Sequence, residues 1–482
     1  MQLRRTKIVA TLGPATSSIE ALRDIIRAGT DVVRLNFSHG SAEDHQQRAT
    51  NVLQAAQLEG RHVALLADLQ GPKIRVARFT NNKVHLNAGQ EFILDPTMDR
   101  EAGNETAVGL DFPQLGKDLN PGDILLLDDG RIVLEVTSTD HAKVFTKVQV
   151  GGPLSNNKGI NLQGGGLSAA ALTKKDREDL VTAAKIGVDY IAISFVRNAE
   201  DMHEARALLD AANSNASLVA KIERAEAIEP ETLDGIITAS EAVMVARGDL
   251  AVEIGDAALV GVQKDIIKRA RQLNRIVITA TQMMESMIES PMPTRAEVSD
   301  VANAVLDGTD AVMLSAETAV GDYPAITVEA MARVCLGAES HPSILRSSHR
   351  LDVPIDATDE SIAMGAMYIA NHLQGVKAIV SMTLTGATPL LMSRLSSGIP
   401  IFAFTPLETT QRKVCLYRGV ITHAFDSEHI ENAQINQIAI DELLATGEVE
   451  DGDLVIITKG DYTKAHGGTN TLKVVRVGND LR

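Results

Sequence analysis

The chain has 482 residues, and at about 150 residues per domain this length predicts about three domains. Apolar residues make up 44% and charged residues 23%, a globular composition that excludes disorder as the dominant state. The formal charge of −17 repels phosphate backbones, so we expect no nucleic-acid partner. A small anion can still bind, because a pocket can be basic within an acidic protein.

The two cysteines and the first residues indicate the compartment. Cys335 and Cys415 lie far apart in sequence without metal-type spacing, which suits a reducing compartment. The basic, briefly apolar start stops at Gly13-Pro14, and no stretch approaches the roughly 18 apolar residues of a membrane helix. We therefore expect a cytoplasmic protein with no membrane partner.

Short β-branched runs recur along the chain, and helical patterns separate most of them. Near-continuous apolar runs of this length are typical of parallel strands that are buried on both faces. Eight such units predict an α/β fold, a (β/α)₈ TIM barrel whose chemistry lies at the carboxyl ends of the strands. The runs are Lys7–Gly13, Val32–Ser38, Val63–Gln70, Tyr190–Val196, Ser217–Glu223, Ala242–Asp249, Ile276–Gln282 and Ala311–Glu317.

Two further regions differ from this pattern. Residues 72–167 contain short strands and turn signals, which predict an inserted small β-barrel that acts as a lid over the barrel mouth. Residues 342–482 alternate strand and helix patterns, which predict a C-terminal doubly wound α/β domain. The catalytic barrel is then formed by residues 1–71 and 168–341.

The end of the second predicted strand carries a polar cluster. Arg34, Asn36 and Ser38 share one strand face, since side chains alternate with a period of two. A charged donor beside two oxygen-bearing side chains suits an anion and a cation that bind side by side. The alternative is that Ser38 or Ser41 simply caps the following helix.

The fifth and sixth predicted strands end in charged residues. Lys221 and Glu223 share a face, and Asp249 places a second carboxylate at the same rim. Two carboxylates with positions left open for substrate oxygens and water are the usual Mg²⁺ arrangement, and an ammonium beside them neutralises developing negative charge. The alternative is a buried structural Lys–Glu pair.

Two smaller features lie near the same rim. Gly248 lacks a Cβ where backbone N–H groups could approach a carboxylate. Thr281 offers a hydroxyl, although a strand-end threonine bonded to backbone explains it equally well. Met283, Met284 and Met287 at helical spacing indicate core packing.

Seven segments, in order and spacing, resemble the pyruvate kinase family over nearly the whole chain. Several long independent motifs are far more specific than a lone glycine motif. The segments are Thr11–Thr16, Arg34–Gly40, Asp68–Arg75, Ala220–Glu223, Val245–Leu250, Thr279–Met287 and Pro293–Asp307.

The resemblance implies Mg²⁺-dependent phosphoryl transfer from phosphoenolpyruvate to ADP, which gives pyruvate and ATP in glycolysis. By analogy Arg34 binds the transferred phosphate, and Lys221 stabilises its charge and that of the enolate. Glu223 and Asp249 hold one Mg²⁺, and a second Mg²⁺ arrives with the nucleotide. This division agrees with the residues, because phosphoryl transfer depends on positioning and electrostatics.

The same resemblance places the substrate carboxylate and the nucleotide. The backbone at Gly248 and Asp249, together with Thr281, receives the carboxylate, and Thr281 acting through water is one candidate proton donor to the enolate. The donor itself stays open. The residues expected near ADP or ATP are Asn36, His39, Arg75 and Lys158.

Two other functions are alternatives. A metal-dependent lyase or aldolase that stabilises a pyruvate enolate would need the same lysine and carboxylates, but it has no use for Arg34, Arg75 and a nucleotide lid. A sugar-phosphate sensor that has lost catalysis is argued against by the presence of every expected catalytic residue.

A regulatory anion site is expected where a strand enters a helix in the C-terminal domain. Hydroxyls and backbone N–H groups converge there, although capping by Thr385 explains part of the pattern. In the family the matching loop binds a sugar-phosphate activator, and the family resemblance also implies a homotetramer. The segment comprises Thr383, Leu384, Thr385, Gly386, Ala387 and Thr388.

The last expectation concerns K⁺. Many family members carry an acidic residue where this chain has Lys73, and they require a monovalent cation. An ammonium can replace that cation, so we expect that K⁺ is not required, as in the K⁺-independent bacterial subset. The alternative is that Lys73 is a solvated hinge residue. The expected pocket comprises Asn36, Ser38, Asp68 and the carbonyl of Leu69.

Overall fold

The computed structural model describes residues 3–140, 142–345, 354–427, 430–431, 434–460 and 468–478. Eight parallel strands form a closed barrel in chain order, with the eighth strand paired to the first. The (β/α)₈ prediction is confirmed. Barrel strands one to eight are Lys7–Thr11, Val32–Asn36, Ala64–Asp68, Tyr190–Ile193, Ser217–Ile222, Ala242–Ala246, Ile276–Ala280 and Ala311–Leu314.

Helices surround the barrel, and polar caps fix where several of them begin. Ser41 and Asp44 form a reciprocal capping box, and so do Thr173 with Asp176. Ser41 therefore caps the second helix, and Ser38 does not. The barrel helices are Ile19–Ala28, Ala42–Leu58, Lys174–Ile186, Ala199–Ala211, Pro230–Thr238, Arg247–Ile254, Asp256–Gln272, Arg295–Asp307, Ala316–Ala319 and Pro324–Glu339.

All eight predicted strands exist, but each ends one to three residues before its predicted end. Ladder hydrogen bonds stop at Asn36, Ile222 and Ala246, whereas the apolar pattern ran on to Ser38, Glu223 and Asp249. Ser38 and Glu223 therefore lie just beyond their strands, and Asp249 lies in the first turn of helix Arg247–Ile254. This places them at the barrel mouth.

A regular set of carboxylates closes the opposite end of the barrel. The residue that precedes each even-numbered strand is acidic, and its carboxylate accepts the N–H of the second residue of the strand before it. Because these N–H groups begin a strand, an acidic side chain satisfies a donor that would otherwise be left unpaired. The four bonds are Ile8 to Asp31, Leu65 to Asp189, Leu218 to Glu241 and Val277 to Asp310.

The insertion between barrel strands three and four is an all-β unit with its own core. A six-stranded, mostly antiparallel sheet and a two-stranded sheet bury residues such as Phe92, Leu125 and Leu134. One short helix covers Leu115–Asp118. The strands are Lys83–Leu86, Glu91–Leu94, Ala107–Val108, Ile124–Leu127, Ile132–Thr139, Val144–Val150, Gly152–Ser155 and Ile160–Leu162.

The C-terminal unit is a five-stranded sheet with helices on both faces, as predicted. Helix Thr358–His372 packs with Ile379 and Ile401 on one face, and helix Ile435–Ala445 packs with Val380 and Phe402 on the other. The other helices are Ala387–Ser393 and Glu408–Lys413, and the strands are Val376–Met382, Ile401–Thr405, Val420–Ala424, Leu454–Gly460 and Thr469–Arg476. The last strand is antiparallel to its neighbour.

Short 3₁₀ turns complete the fold, and their bounds are Pro14–Thr16, Ala225–Ile228, Glu285–Ile288, Pro342–Ile344 and Val414–Leu416. The outer limits of the first and last predicted domains, residues 1 and 482, lie outside the described residues. Within the described ranges, no helix is both long and apolar enough to span a membrane.

Candidate active site

Arg34 and Asp68 form an ion pair at the mouth of the barrel. The Arg34 Nε lies 2.6 Å from Asp68 Oδ2, and its Nη1 donates to Thr11 Oγ1 at 3.2 Å. The Arg34 side chain is 13% exposed, and the Asp68 side chain is 1% exposed. The partner that a strand-embedded arginine requires is therefore Asp68, and part of the guanidinium still faces the mouth.

Lys221 lies at the centre of the rim. Its Nζ is 2.9 Å from Glu223 Oε1 and 3.3 Å from Asp68 Oδ1, and it donates to Ser194 Oγ at 2.7 Å. Burial by itself would lower the pKa of Lys221, but Asp68 and Glu223 raise it above its usual value. The ammonium therefore stays charged in a site that is largely removed from water.

The Asp68 carboxylate joins the two cations. Burial would raise its pKa, but Arg34 and Lys221 together hold that pKa below its usual value. Asp68 is thus ionised and has both oxygens beside cations.

Glu223 and Asp249 are the two carboxylates predicted to hold Mg²⁺. Glu223 is buried, and its Oε2 accepts the backbone N–H of Phe195 at 2.7 Å. Burial raises the pKa of Glu223, and the negative charge of Asp249 raises it further. A divalent cation between these groups would relieve that like-charge repulsion.

The donor set fits a magnesium ion that keeps substrate and water ligands. Among the described residues no group of three or more His, Cys, Asp or Glu side chains is arranged to hold a metal. Two protein carboxylates are nevertheless the common number for Mg²⁺, which usually retains several waters. Glu223 and Asp249 therefore fit as protein ligands.

The ammonium of Lys73 lies on Asp249, and this differs from its predicted place. Its Nζ is 2.8 Å from Asp249 Oδ1 and 3.9 Å from Asp129 Oδ1. Within the described part of the chain, no hydrogen bond or ion pair joins it to Asn36, Ser38, Asp68 or Leu69. Asp68 already has two cationic partners, whereas Lys73 is the one cation paired with Asp249 in the part of the chain that the structure describes.

The predicted monovalent-cation pocket lies at the carboxyl ends of barrel strands two and three, where Asn36 and Asp68 end the strands and Ser38 and Leu69 follow them. The Asn36 side-chain oxygen accepts the Ser38 N–H at 3.1 Å. The Leu69 carbonyl accepts the hydroxyl of Ser194 at 2.8 Å. Asn36 and Asp68 are paired directly across the two strands, so these oxygens lie at one corner of the mouth.

Gly248 and Thr281 are hydrogen-bonded to each other. The Gly248 N–H donates to Thr281 Oγ1 at 2.9 Å, and that hydroxyl donates to the Ala280 carbonyl at 2.7 Å. Thr281 has φ of 70°, which is unusual for a β-branched residue, and Arg247 donates to its carbonyl. Backbone strain of this kind is found most often at functional sites.

The predicted nucleotide residues form two pairs. Arg75 and Lys158 are neighbours on the insertion, where Val76 N–H donates to the Lys158 carbonyl at 2.9 Å. Arg75 Nη1 donates to the Asn157 carbonyl at 2.9 Å, and Lys158 Nζ is 2.6 Å from Asp128 Oδ1. Asn36 and the exposed His39 lie on the barrel.

A cavity of about 240 Å³ opens between the barrel and the insertion. Its lining includes Pro72, Lys73, Asp111 and Lys175. Lys175 donates to the carbonyl of Phe37 at 2.8 Å, beside the strand-two loop. The sequence analysis did not identify Lys175 as a site residue. The one sequence feature that could have indicated it is a lysine in the first turn of a helix at the rim.

Sequence reasoning also missed Ser194, which touches both Lys221 and the Leu69 carbonyl. The residue was included in the predicted fourth strand, Tyr190–Val196, but no role was given to it. The signal was present, because Ser194 is the first polar side chain at the carboxyl end of that strand.

In the predicted regulatory loop, more of the polar groups than expected already form hydrogen bonds within the protein. Thr383 Oγ1 accepts the N–H of Gly386 at 2.9 Å, and Thr385 Oγ1 accepts that of Ala387 at 3.4 Å. The Thr388 hydroxyl is buried against Thr469, 2.7 Å away. These bonds occupy part of the N–H and hydroxyl groups that an anion would use.

Comparisons with known proteins cover almost the whole chain. The family models described as "Pyruvate kinase, barrel domain" and "Pyruvate kinase, alpha/beta domain" match residues 3–328 and 360–475. Pyruvate kinase II of Salmonella typhimurium is 59% identical over 477 residues, 99% of each chain, and the pyruvate kinase of Haemophilus influenzae is 59% identical over 95% of this chain and 96% of its own. The crystal structure of a pyruvate kinase from Cryptosporidium parvum superposes with a TM-score of 0.91 at 33% identity, over 98% of this chain and 96% of that one.

Proposed function

The chain belongs to the pyruvate kinase family, and on that premise we propose how its own residues divide the reaction. The protein is a phosphotransferase that converts phosphoenolpyruvate and ADP to pyruvate and ATP. A lyase acting on a pyruvate enolate is not favoured, because the relatives are pyruvate kinases along the full length.

The cluster of Arg34, Asp68, Lys221 and Glu223 is the observation that supports the assignment of roles. Arg34 binds the phosphoryl group, and Lys221 stabilises the charge on that group in flight and on the enolate left behind. Both cations are held by carboxylates before the substrate binds, so little reorganisation is needed as charge develops.

Glu223 and Asp249 are the residues that would hold Mg²⁺. When bound, the ion supplies positive charge that offsets the developing charge on substrate oxygens. The family generally uses Mg²⁺, and we assign a second Mg²⁺ to the nucleotide. Lys73 contacts Asp249 in the described arrangement and would have to give up that contact to the metal.

Gly248, Asp249 and Thr281 provide the carboxylate site. The N–H of Gly248 is already directed at an oxygen, that of Thr281, so a substrate carboxylate could replace this hydroxyl as its acceptor. Thr281 acting through water stays one candidate for protonating the enolate. The left-handed backbone at Thr281 and Gln282, with φ of 70° and 53°, supports a site in which geometry is held under strain.

ADP is placed between the barrel and the insertion. Arg75 and Lys158 belong to the insertion, residues 72–167, which we propose moves as a lid, and Asn36 and His39 belong to the barrel. The cavity between the two parts adds Lys175 as a further cation for the phosphates. Closure would bring the two halves of the nucleotide site together and exclude water.

Independence from K⁺ stays a prediction. We propose that the Lys73 ammonium occupies two positions in turn, first on Asp249 and then in the cation pocket. Metal binding at Asp249 would release the Lys73 ammonium, which then replaces the monovalent cation near Asn36, Ser38, Asp68 and Leu69. We expect full activity in K⁺-free Na⁺ buffer and a partial K⁺ requirement in Lys73→Glu. Strong activation of the unmodified enzyme by KCl, above a tetramethylammonium chloride control, would exclude it.

Regulation by a phosphorylated metabolite is proposed for the loop Thr383–Thr388, together with a homotetramer. The loop adjoins the end of a strand, and the Leu384 carbonyl accepts the Thr410 hydroxyl of the next helix, which ties it to the face that meets the barrel. Thr385→Glu, which places a negative charge in the loop, should abolish activation by sugar phosphates. Unchanged activation would contradict the site, and sedimentation tests the tetramer.

The activity is tested by coupling pyruvate release to lactate dehydrogenase with phosphoenolpyruvate, ADP and Mg²⁺. We expect pyruvate release that depends on both the nucleotide and the metal. Release without nucleotide would favour the lyase, and no release would contradict the kinase. A cytoplasmic location is expected of a glycolytic enzyme and is tested by cell fractionation.

A further inference from the structure

The turn that follows barrel strand four lies directly beneath the proposed catalytic charges. Ser194 is 1% exposed, and its hydroxyl accepts a hydrogen bond from Lys221 Nζ at 2.7 Å. The same hydroxyl donates to the Leu69 carbonyl at 2.8 Å. A hydroxyl has a single proton to donate, so the bond to Leu69 fixes its orientation and directs its lone pairs toward the ammonium.

Lys221 contacts three side chains that differ in kind. Its ammonium forms ion pairs with Asp68 and Glu223 and donates a hydrogen bond to the Ser194 hydroxyl. The two carboxylates supply charge and keep the lysine protonated. Ser194 supplies no charge, so its contribution is to orient the Lys221 ammonium.

The next residue gives the turn a second contact with the site. Phe195 has φ of 55°, a left-handed conformation that is rare for a large side chain, and its N–H donates to Glu223 Oε2 at 2.7 Å. The carboxylate beside Lys221 is thereby held from the opposite side. Strained backbone that aims a donor at a functional group is typical of pre-organised sites.

The turn is also packed tightly against Gly71, the last barrel residue before the insertion. Gly71 has φ of +69°, and a Cβ at this position would lie 2.6 Å from Ser194 Cβ and 2.9 Å from Phe195 Cδ2. Only glycine therefore fits here, and the turn has little room to shift. The Ser194 hydroxyl is thus fixed by Leu69 on one side and by Gly71 behind it.

We propose that Ser194 is a positioning residue for phosphoryl transfer: its hydroxyl holds the Lys221 ammonium at the angle from which it meets the transferring group. The proposal rests on the role proposed above for Lys221. Ser194 acts through that lysine, and so its removal should affect the transition state more than substrate binding.

The first test is Ser194→Ala, with Ser240→Ala as the matched control. Ser240 is also a 1% exposed serine whose hydroxyl donates to a carbonyl, that of Ile236 at 2.7 Å, but it lies between helix Pro230–Thr238 and strand Ala242–Ala246, at the amino end of the barrel. We expect Ser194→Ala to lower kcat by about tenfold to a hundredfold with KM for phosphoenolpyruvate changed less than about threefold. Ser240→Ala should keep kcat. Equal loss of kcat in the two variants would overturn the proposal, because a general packing defect would then explain it.

The second test asks whether Ser194 acts through Lys221. In the Lys221→Met background, Ser194→Ala should cause almost no further loss of kcat, since the group it positions is gone. If Ser194→Ala lowered kcat by the same factor in both backgrounds, the positioning role would be wrong. If Lys221→Met itself kept wild-type kcat, the role proposed for Lys221 would fail first. If Ser194→Ala kept wild-type kcat and Lys221→Met did not, the role proposed for Lys221 would be supported and the role proposed for Ser194 would be wrong.

Discussion

Both ends of the barrel hold buried carboxylates paired with cations. The pairs at the amino end have a structural role, and those at the carboxyl end belong to the proposed active site. At the amino end, Asp310 pairs with Arg394, and Asp189 pairs with Arg412, both from the C-terminal domain. At the carboxyl end, Asp68 and Glu223 surround Lys221.

The difference lies in what else each carboxylate bonds. At the amino end Asp189 and Asp310 also accept strand N–H groups, so they join the barrel to the C-terminal domain. Exposure of the cations does not separate the two ends: Arg34 and Lys221 are 13% and 12% exposed, while at the amino end Arg394 is fully buried and Arg412 is 13% exposed. Burial and charge alone do not identify a catalytic group; the end of the strand at which the group lies decides between the two roles.

The largest effect on stability is expected from Arg394→Met. The substitution leaves the Asp310 carboxylate buried without its charged partner, which typically costs about 3–5 kcal/mol of unfolding free energy. Chemical denaturation should show this loss, while kcat per folded molecule stays near that of wild type. A variant as stable as wild type would contradict a structural role for the amino end.

Asp189 should give the amino end a pH dependence. Burial raises its pKa to about 6, so the folded protein keeps a proton that the unfolded chain releases near pH 4. Stability therefore falls as pH rises from about 4 to 6, by up to about 3 kcal/mol. Asp189→Asn should lack this fall. The difference in unfolding free energy between the two proteins, followed across that window, checks the prediction, and a constant difference would refute it.

At the carboxyl end, Glu223→Ala should raise the Mg²⁺ concentration needed for half-maximal activity. One of two protein ligands is removed, so an increase of about tenfold or more is expected, equivalent to about 1.4 kcal/mol or more. Mn²⁺ binding followed by electron paramagnetic resonance provides a readout apart from turnover. Unchanged Mn²⁺ affinity would remove Glu223 from the metal site.

The smallest effect is expected for an ion pair at neither end. Arg177 and Glu204 join two barrel helices at the surface, with side chains 42% and 43% exposed. Arg177→Ala should change the unfolding free energy by less than about 1 kcal/mol, because exposed pairs are screened by water and salt. A loss of unfolding free energy as large as that of Arg394→Met would show that burial does not separate strongly stabilising ion pairs from weakly stabilising ones.

Much of this contrast could be predicted from the sequence, because apolar runs locate buried parallel strands. The carboxyl ends of such runs contain Arg34, Lys221, Glu223 and Asp249, and the barrel topology brings these residues to one rim. The ends of the strands were overestimated, since the apolar pattern continues past the last ladder bond.

The remainder depends on partners that one strand cannot reveal. Lys73 was expected at the cation pocket, but its ammonium lies on Asp249, a carboxylate that forms no ion pair with another cation among the described residues. Ser194 is a neutral residue within an apolar run, and only the neighbouring strands show what its hydroxyl touches. The acidic caps of the amino end likewise require the pairing of strands to be known.

The most direct test of the account is kcat of Lys221→Met at saturating phosphoenolpyruvate, ADP and Mg²⁺, measured beside Arg394→Met well below the melting temperature of both. The account predicts a loss for Lys221→Met of about a hundredfold or more, corresponding to about 3 kcal/mol, with KM little changed, and wild-type kcat for Arg394→Met. Wild-type turnover in Lys221→Met would contradict the claim that the carboxyl end of the barrel stabilises the charge of the transferring group.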